Sequence, residues 1–407
     1  MTQRIRVVVT GMGAVSAVGI GAKTLWHAAR DGRSGVGEAV FRRPYRGRIK
    51  RAAQVRDFDG SAFIEADLLP FCDEVTQYLV VATDEAMAAA GLLHAKPLGP
   101  RTATIIGTGI AGAHTIEDNL YTIFVKEGRP DTLAVPRLIA STCPAVVSMR
   151  YGTTGPCFAV ASACSSATQA IGMGAHMIRA GMIDRAIVGG TEDCIVDGGM
   201  LAWEGLRVLT PTLCRPFSKD RNGMVLGAGA AVFVLESEAI ATARQAPVLA
   251  EIAGYGTTSD AKDHVRPDVN GAAAAMRAAL LDGDVSADEI DYVNAHGTGT
   301  TINDMTEAAA LGLIFGTRLP HVPVSSTKPI HGHGLGAGGA LELAVTIAAM
   351  REGVIPPTIN WNKADEKCPV DAVPNEARPA TLRTTMSNSF AFGGINATLV
   401  VRRAEAA

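Results

Sequence analysis

One thiol stands where chemistry is possible. An apolar stretch runs into Ala163-Cys164-Ser165, and a helix of small residues follows directly. A strand-to-helix turn exposes its side chain, and the helix N-terminus offers unpaired N–H groups and the positive end of a dipole. Both favour a thiolate, the reactive form of cysteine, and the oxyanion of a tetrahedral intermediate. The local context fits a buried structural cysteine equally well, and that is the reading for Cys143, Cys157, Cys194 and Cys214. Two further segments weigh in. Tyr292-Val-Asn-Ala-His296-Gly-Thr-Gly-Thr300 ends a strand in a glycine-rich loop, and Ser326-Thr-Lys328-Pro-Ile-His331-Gly-His333-Gly-Leu-Gly-Ala does so just before a helix. A cysteine and two histidines in the same kind of turn suit one nucleophilic site. A metal held by His331-x-His333 is the rival, but no carboxylates or further histidines follow at ligand spacing, so no metal is expected.

The elements that must position these residues alternate. Apolar strands are expected at Ile5–Thr10, Ala103–Ile106, Phe158–Ala161, Ala186–Val188, Ala231–Leu235, Tyr292–Asn294 and Val322–Ser325. Helices are expected at Tyr78–Ala90, Ser166–Ala180, Ala272–Leu281 and Gly338–Arg351. Such alternation predicts an α/β protein with buried sheets. The first strand closes at Gly11-Met-Gly13, but the third glycine of a dinucleotide fingerprint would fall at Ser16, so that reading fails. One alternating series ends near Ser237–Pro247 and another begins at Val248, dividing the chain into halves 1–247 and 248–407.

Composition narrows the function classes. Of 407 residues 47% are hydrophobic and 19% charged, which suits a globular core. The 44 glycines and abundant alanine let elements approach closely. A net charge of −3 gives no signal for nucleic acid or membrane, and no run nears the roughly 20 apolar residues of a span. The seven cysteines are odd in number and form no C-x-x-C pair, which points to a reducing cytoplasm rather than a disulfide framework. Arg4 and Arg6 precede an apolar stretch, but Gly11, Gly13, Gly19 and Gly21 break any signal-peptide helix.

Taken in order, Val7-Val-Val-Thr-Gly-Met-Gly13, Gly107-Thr-Gly-Ile110, Ala163-Cys164-Ser, His296-Gly-Thr-Gly-Thr300, Ser326-Thr-Lys-Pro-Ile-His-Gly-His333 and Ser387-Asn-Ser-Phe-Ala-Phe-Gly-Gly-Ile-Asn396 span nearly the whole chain. On these the chain resembles the β-ketoacyl–acyl carrier protein synthases of the thiolase-like superfamily, nearest the elongating type II condensing enzymes. The resemblance implies a duplicated α-β-α-β-α fold, the first half carrying the cysteine and the second the two histidines and a phenylalanine gate. It implies that Cys164 takes an acyl chain as a thioester, and that His296 and His333 stabilise the enolate left when a malonyl thioester loses CO₂. Backbone N–H groups of Cys164 and Phe392 match the oxyanion hole, and Phe392 matches the gate. Lys328 and Glu307 match an active-site lysine and a nearby acid, expected to pair and orient the site. Thr298 and Thr300 match contacts to the phosphopantetheine arm, and Ile110 the floor of the acyl pocket near a dimer contact. Substrates would arrive on an acyl carrier protein, with no other cofactor, at a cytoplasmic homodimer or a heterodimer with a related chain. Arg207, and less directly Arg42 and Arg43, would steer the acidic carrier.

The pattern also departs from the family. His331 replaces a small or apolar residue and reads as structural; Ala391 replaces a glycine beside Phe392, which predicts a stiffer gate; Ala228 replaces an acid. Leu69-Pro-Phe-Cys-Asp73 stands where relatives are often basic. The product would be a fatty-acyl or specialised acyl chain, such as a polyene or a nodulation-factor chain. A non-catalytic chain-length partner would lack the nucleophile, and a degradative thiolase would carry a second cysteine, absent from Asn388–Asn396.

Overall fold

In the computed structural model, which describes residues 4–404, the catalytic candidates sit where two similar sets of strands meet. The first set is β1 (Val7–Ser16), β2 (Thr102–Gly107), β3 (Cys157–Val160), β4 (Arg185–Glu192) and β5 (Gly229–Ser237). The second is β6 (Ala250–Ser259), β7 (Tyr292–Asn294), β8 (Val324–Ser325), β9 (Thr384–Ala391) and β10 (Ile395–Arg403). Across the sheet they run β8-β7-β9-β10-β6-β1-β5-β4-β2-β3. Outward from the centre, each set therefore follows one order: first strand, fifth, fourth, second, third. Directions repeat too. β5 is antiparallel to β1 and β4, and β2 is parallel to β4 and β3. β10 is likewise antiparallel to β6 and β9, and β7 is parallel to β9 and β8. The sets join where β1 and β6 pair antiparallel, Val8 with Glu251 and Val9 with Ala250. This is the duplicated α/β architecture.

Two helices lie between the sets: α2 (Ser166–Arg179) after β3, and, in the second set, α6 (Gly338–Glu352) after β8. Both touch strands of each set. Every residue of α6 from Gly338 to Met350 is buried, as a helix enclosed on all sides must be. Outer helices cover the faces, among them α1 (Glu74–Ala89) and α4 (Val269–Gly283). Helix α1 begins earlier than expected because Asp73 caps it, its carboxylate accepting the Val75 N–H. Two more helices matter to the site, α3 (Asp197–Gly205) and α5 (Thr301–Phe315).

The expected strands and helices are present, with shifted ends. The first strand does not stop at Gly11 but runs on to Ser16. The reason is packing: a Cβ at Gly11 would lie 2.0 Å from the Ala86 carbonyl oxygen, and one at Gly13 2.1 Å from that of Ala82. These glycines let α1 rest directly on the strand. The segment expected as a loop at Asn388–Asn396 is instead the tip of the β9–β10 hairpin.

Candidate active site

Cys164 sits in a tight turn between β3 and α2, and the turn is held from several sides. Ala163 takes a left-handed φ of 49°, rare for a residue with a Cβ. The Ser166 hydroxyl accepts the Ser162 N–H (2.9 Å) and donates to the Ala163 carbonyl (2.7 Å). Ser165 donates to the Ile395 carbonyl (2.7 Å), tying the turn to the β9–β10 hairpin. The cysteine that results is 5% exposed.

His333 faces it. Its Nε2 stands 3.1 Å from the Cys164 Sγ. The backbone is fixed by a bridge in which the His333 N–H donates to Val225 (2.7 Å) and its carbonyl accepts from Gly227 (2.9 Å). Gly332, at φ 73°, is required there: a Cβ would lie 2.6 Å from the Gly227 Cα. The His333 turn follows β8 as the Cys164 turn follows β3, so the two residues come from corresponding places in the two sets. The His296 ring stands 5.3 Å from that of His333 at 82°. One donor atom from each of Cys164, His296 and His333 lies within 4.8 Å of the others.

Burial sets the protonation of all three. It pushes the Cys164 thiol up to about 12, with Glu192 and Glu342 adding to the rise and Lys328 opposing it. Burial thus acts against the thiolate that the helix N-terminus favours. Burial, then the Lys328 charge, hold His296 and His333 well below the usual histidine range. At 3.1 Å, Nε2 of a neutral His333 is placed to accept the Cys164 S–H.

Lys328 and Glu307 do not form the expected ion pair. The Lys328 ammonium binds Glu342 on α6 and the His296 carbonyl, and both charged side chains are 1% exposed. Glu307, on α5, accepts instead from the His296 N–H (2.9 Å), the Gly297 N–H (2.8 Å) and Asn388 Nδ2 (3.3 Å). Geometry decides this: Glu307 is spent fastening the His296 loop, and Glu342 is the acid that reaches the ammonium. Glu342, the single charged residue in the run Gly338–Met350, was the signal for it in the sequence.

The remaining candidates divide. A cavity leads to Cys164, lined by His296, His333, Thr298, Thr300, Phe392 and Arg207, among others. The Thr298 and Thr300 hydroxyls are 2.8 Å apart. Phe392 stands in the hairpin turn, its ring stacked 6.0 Å from that of Trp203 on α3. Ala391 does not stiffen this turn, because it lies within β9 and the left-handed positions are Gly393 and Gly394. Arg207 is exposed at the cavity mouth. Arg42 and Arg43 are no free basic patch. Arg42 binds Glu74 and Asp118, and Arg43 binds Glu117 and Asp118 and lies over the Tyr121 ring. Acids on neighbouring elements cancel their charge. Ile110 is 50% exposed, so it is not core, and it does not line the cavity that opens at Cys164. His331 is structural: Nδ1–H donates to the Gly332 carbonyl (2.8 Å), leaving Nε2 to accept from Thr327 (2.9 Å). That occupies both nitrogens and leaves nothing for a metal shared with His333. Cys157, read as buried, is exposed on β3.

Comparison with known proteins completes the description. The beta-ketoacyl synthase N-terminal domain model matches residues 4–241 and the C-terminal domain model residues 249–362. Nodulation protein E of Rhizobium sp. (strain N33) is 40% identical, covering 98% of this chain and 99% of that protein. The 3-oxoacyl-[acyl-carrier-protein] synthase 2 of Coxiella burnetii is 37% identical, over 98% of this chain and 99% of its own. Among solved structures, the ishigamide ketosynthase/chain length factor matches with a TM-score of 0.94 at 35% identity, covering 99% of this chain and 100% of that one.

Proposed function

Because the chain belongs to the β-ketoacyl synthase family, an acyltransferase class, we propose that Cys164 is its acyl-carrying nucleophile, with His296 and His333 completing the site. The observation that carries this is the 3.1 Å approach of His333 Nε2 to the Cys164 Sγ, with the His296 ring set across it.

Acyl transfer begins as the sulfur attacks a carrier-bound thioester and its proton passes to His333 Nε2. The carrier thiol leaves with a proton that the imidazolium gives up from Nδ1 through water, so neutral His333 keeps a proton on Nε2. The backbone N–H groups of Cys164 and Phe392 receive the oxyanion. Malonyl-carrier then loses CO₂, and neutral His296 and His333 donate N–H bonds to the thioester oxygen as it becomes an enolate. The enolate carbon attacks the Cys164 thioester and expels the thiolate, which takes the Nε2 proton of His333 as Nδ1 is reprotonated from water. Lys328 positions His296 through its carbonyl and keeps both imidazoles uncharged, so that they donate as neutral groups. Glu307 holds the His296 loop. Thr298 and Thr300 receive the phosphopantetheine arm that carries the substrates, the chemistry needing no further cofactor, and Arg207 steers the acidic carrier to the mouth. A chain-length partner without catalysis is disfavoured by the presence of Cys164 and both histidines.

The enzyme also pairs with a second chain of its own fold. Among the described residues β3 ends the sheet with an unpaired edge, and Ile110 and Met149 nearby are 50% and 60% exposed, a combination that invites a partner. A reducing cytoplasm suits an enzyme whose nucleophile must be a free thiol. The test is incubation of the purified full chain with acyl- and malonyl-carrier protein. A ketoacyl product lost in Cys164→Ala supports the reading; absence of product from the wild type, or its persistence in Cys164→Ala, refutes it.

A further inference from the structure

Glu192 ends β4 with its side chain fully buried, yet among the described residues no cation pairs with it. Its partners are mainly backbone N–H groups, with the Cys194 side chain beside them. The carboxylate accepts from the N–H groups of Gly109, Ile110 (3.3 Å) and Gly336 (3.2 Å), and from the Thr108 hydroxyl (3.4 Å). Those donors belong to two loops. One leaves β2 and carries Ile110; the other follows His333 directly. Each holds a non-glycine residue in the left-handed region, Ala111 at φ 66° and Leu335 at φ 44°. Neither would keep that conformation unless its surroundings enforced it. Thr108 reinforces the first loop, accepting the Ala111 N–H at 3.1 Å. The fit is close: a Cβ at Gly336 would lie 2.4 Å from the Gly109 nitrogen and 2.6 Å from Glu192 Oε2.

We infer that Glu192 is a positioning residue that locks the Ile110 loop to the His333 loop, so that one buried carboxylate sets both the loop that the family resemblance places at the floor of the acyl pocket and the aim of His333 at Cys164. A carboxylate suits the task better than a neutral group, because it accepts several N–H bonds at once and makes each stronger. Its charge also bears on Cys164, where it opposes the thiolate together with Glu342 and against Lys328. This inference rests on the condensing reaction proposed above. The locking predicts a signature that a merely structural residue would not give: turnover and product length change together.

The test uses the full chain with Glu192→Gln, Glu192→Asp and Thr108→Val. The readouts are kcat and KM with carrier substrates, the length distribution of products, and the pH profile of Cys164 alkylation by iodoacetamide. Glu192→Gln is expected to lower kcat about tenfold with little change in KM, to broaden product length, and to move the alkylation profile to lower pH. Glu192→Asp keeps the charge but is one methylene shorter; it should restore the alkylation profile and not the product distribution. Thr108→Val, a milder change confined to the Ile110 loop, should still lower kcat, and it serves if Glu192→Gln does not fold. The inference is overturned if folded Glu192→Gln keeps wild-type turnover and products, or if Thr108→Val alters product length alone. Coincident alkylation profiles for wild type and Glu192→Gln also overturn it. A wild type without ketoacyl product sinks the functional reading instead, and the alkylation profile still tests Glu192.

Discussion

Replacing Lys328 by methionine removes the cation facing Glu342, in a place both side chains share at 1% exposure. Breaking a buried pair in this way costs about 3–5 kcal/mol when the remaining charge stays. Glu342 has another course. Burial already pushes its carboxyl up to about 7 against the pull of Lys328, so without the lysine it holds a proton to still higher pH. The unfolded chain, with an ordinary glutamate, does not. Above pH 7 the native variant therefore carries one proton more than its unfolded form, and its stability falls as pH rises by about 1.4 kcal/mol per unit. In the wild type this group is largely ionised in both states above pH 7, and that slope is lost. From pH 7 to 9 the deficit of Lys328→Met against wild type should thus deepen by about 3 kcal/mol, as read by urea unfolding at each pH. Adding Glu342→Leu should remove the slope and recover most of the stability, because an apolar pair replaces an ionic one. Condensation should stay low in the double variant, since the His296 carbonyl remains unheld. A deficit that does not change with pH would refute the reasoning. So would a slope abolished by Glu307→Gln rather than Glu342→Leu, which would make Glu307 the partner after all.

Other outcomes follow from the same geometry. His296, His331 and His333 are held neutral in the fold, so below pH 6.5 the unfolded chain gains protons that the native state refuses and stability falls with acid. Each contributes about 1.4 kcal/mol per pH unit, and a His331→Leu variant should lose acid sensitivity by that amount, measured against wild type between pH 6.5 and 4.5. Arg207→Glu should raise KM for acyl-carrier protein about tenfold at low salt, with the effect shrinking as salt screens it. Arg42→Ala and Arg43→Ala should leave that KM unchanged, because acids already neutralise them; a comparable rise there would contradict the ion pairs. Iodoacetamide should label Cys157 before Cys164 in monomer, and pairing through β3 should protect Cys157; equal labelling in the two states speaks against that interface.

The sequence made the chemistry of this site more legible than its bracing. Cys164, His296 and His333 stand in turns written plainly by glycine and small residues at strand ends, and they meet as those turns imply. The supporting carboxylates were harder to read. Glu307 and Glu342 lie on different helices at similar separations from Lys328 along the chain, and only packing decides which one reaches the ammonium. Strand β1 was cut short because glycine reads as a breaker, although Gly11 and Gly13 serve the approach of α1. The basic stretch around Arg42 looked like a docking patch because the acids that neutralise it, Glu74, Glu117 and Asp118, lie distant in sequence. Burial likewise works against the expectation for the thiol, since a dipole can be read from a sequence and desolvation cannot.

The two sets of strands meet through equivalent members, β1 and β6, running antiparallel, which is how like surfaces pair about a twofold axis. Cys164 and His333, on corresponding turns, face each other across that relation. In a dimer of two identical chains, whatever stood at one of these turns would stand at the other: cysteine against cysteine, or histidine against histidine. Joining the copies in one polypeptide lifts that constraint, and each turn is then free to vary alone. A nucleophile opposite its own proton acceptor is a combination that strict symmetry forbids and a tandem chain permits. The reactivity of this centre thus depends on a broken symmetry, and the same independence would let one turn lose its chemistry while the fold around it stays intact.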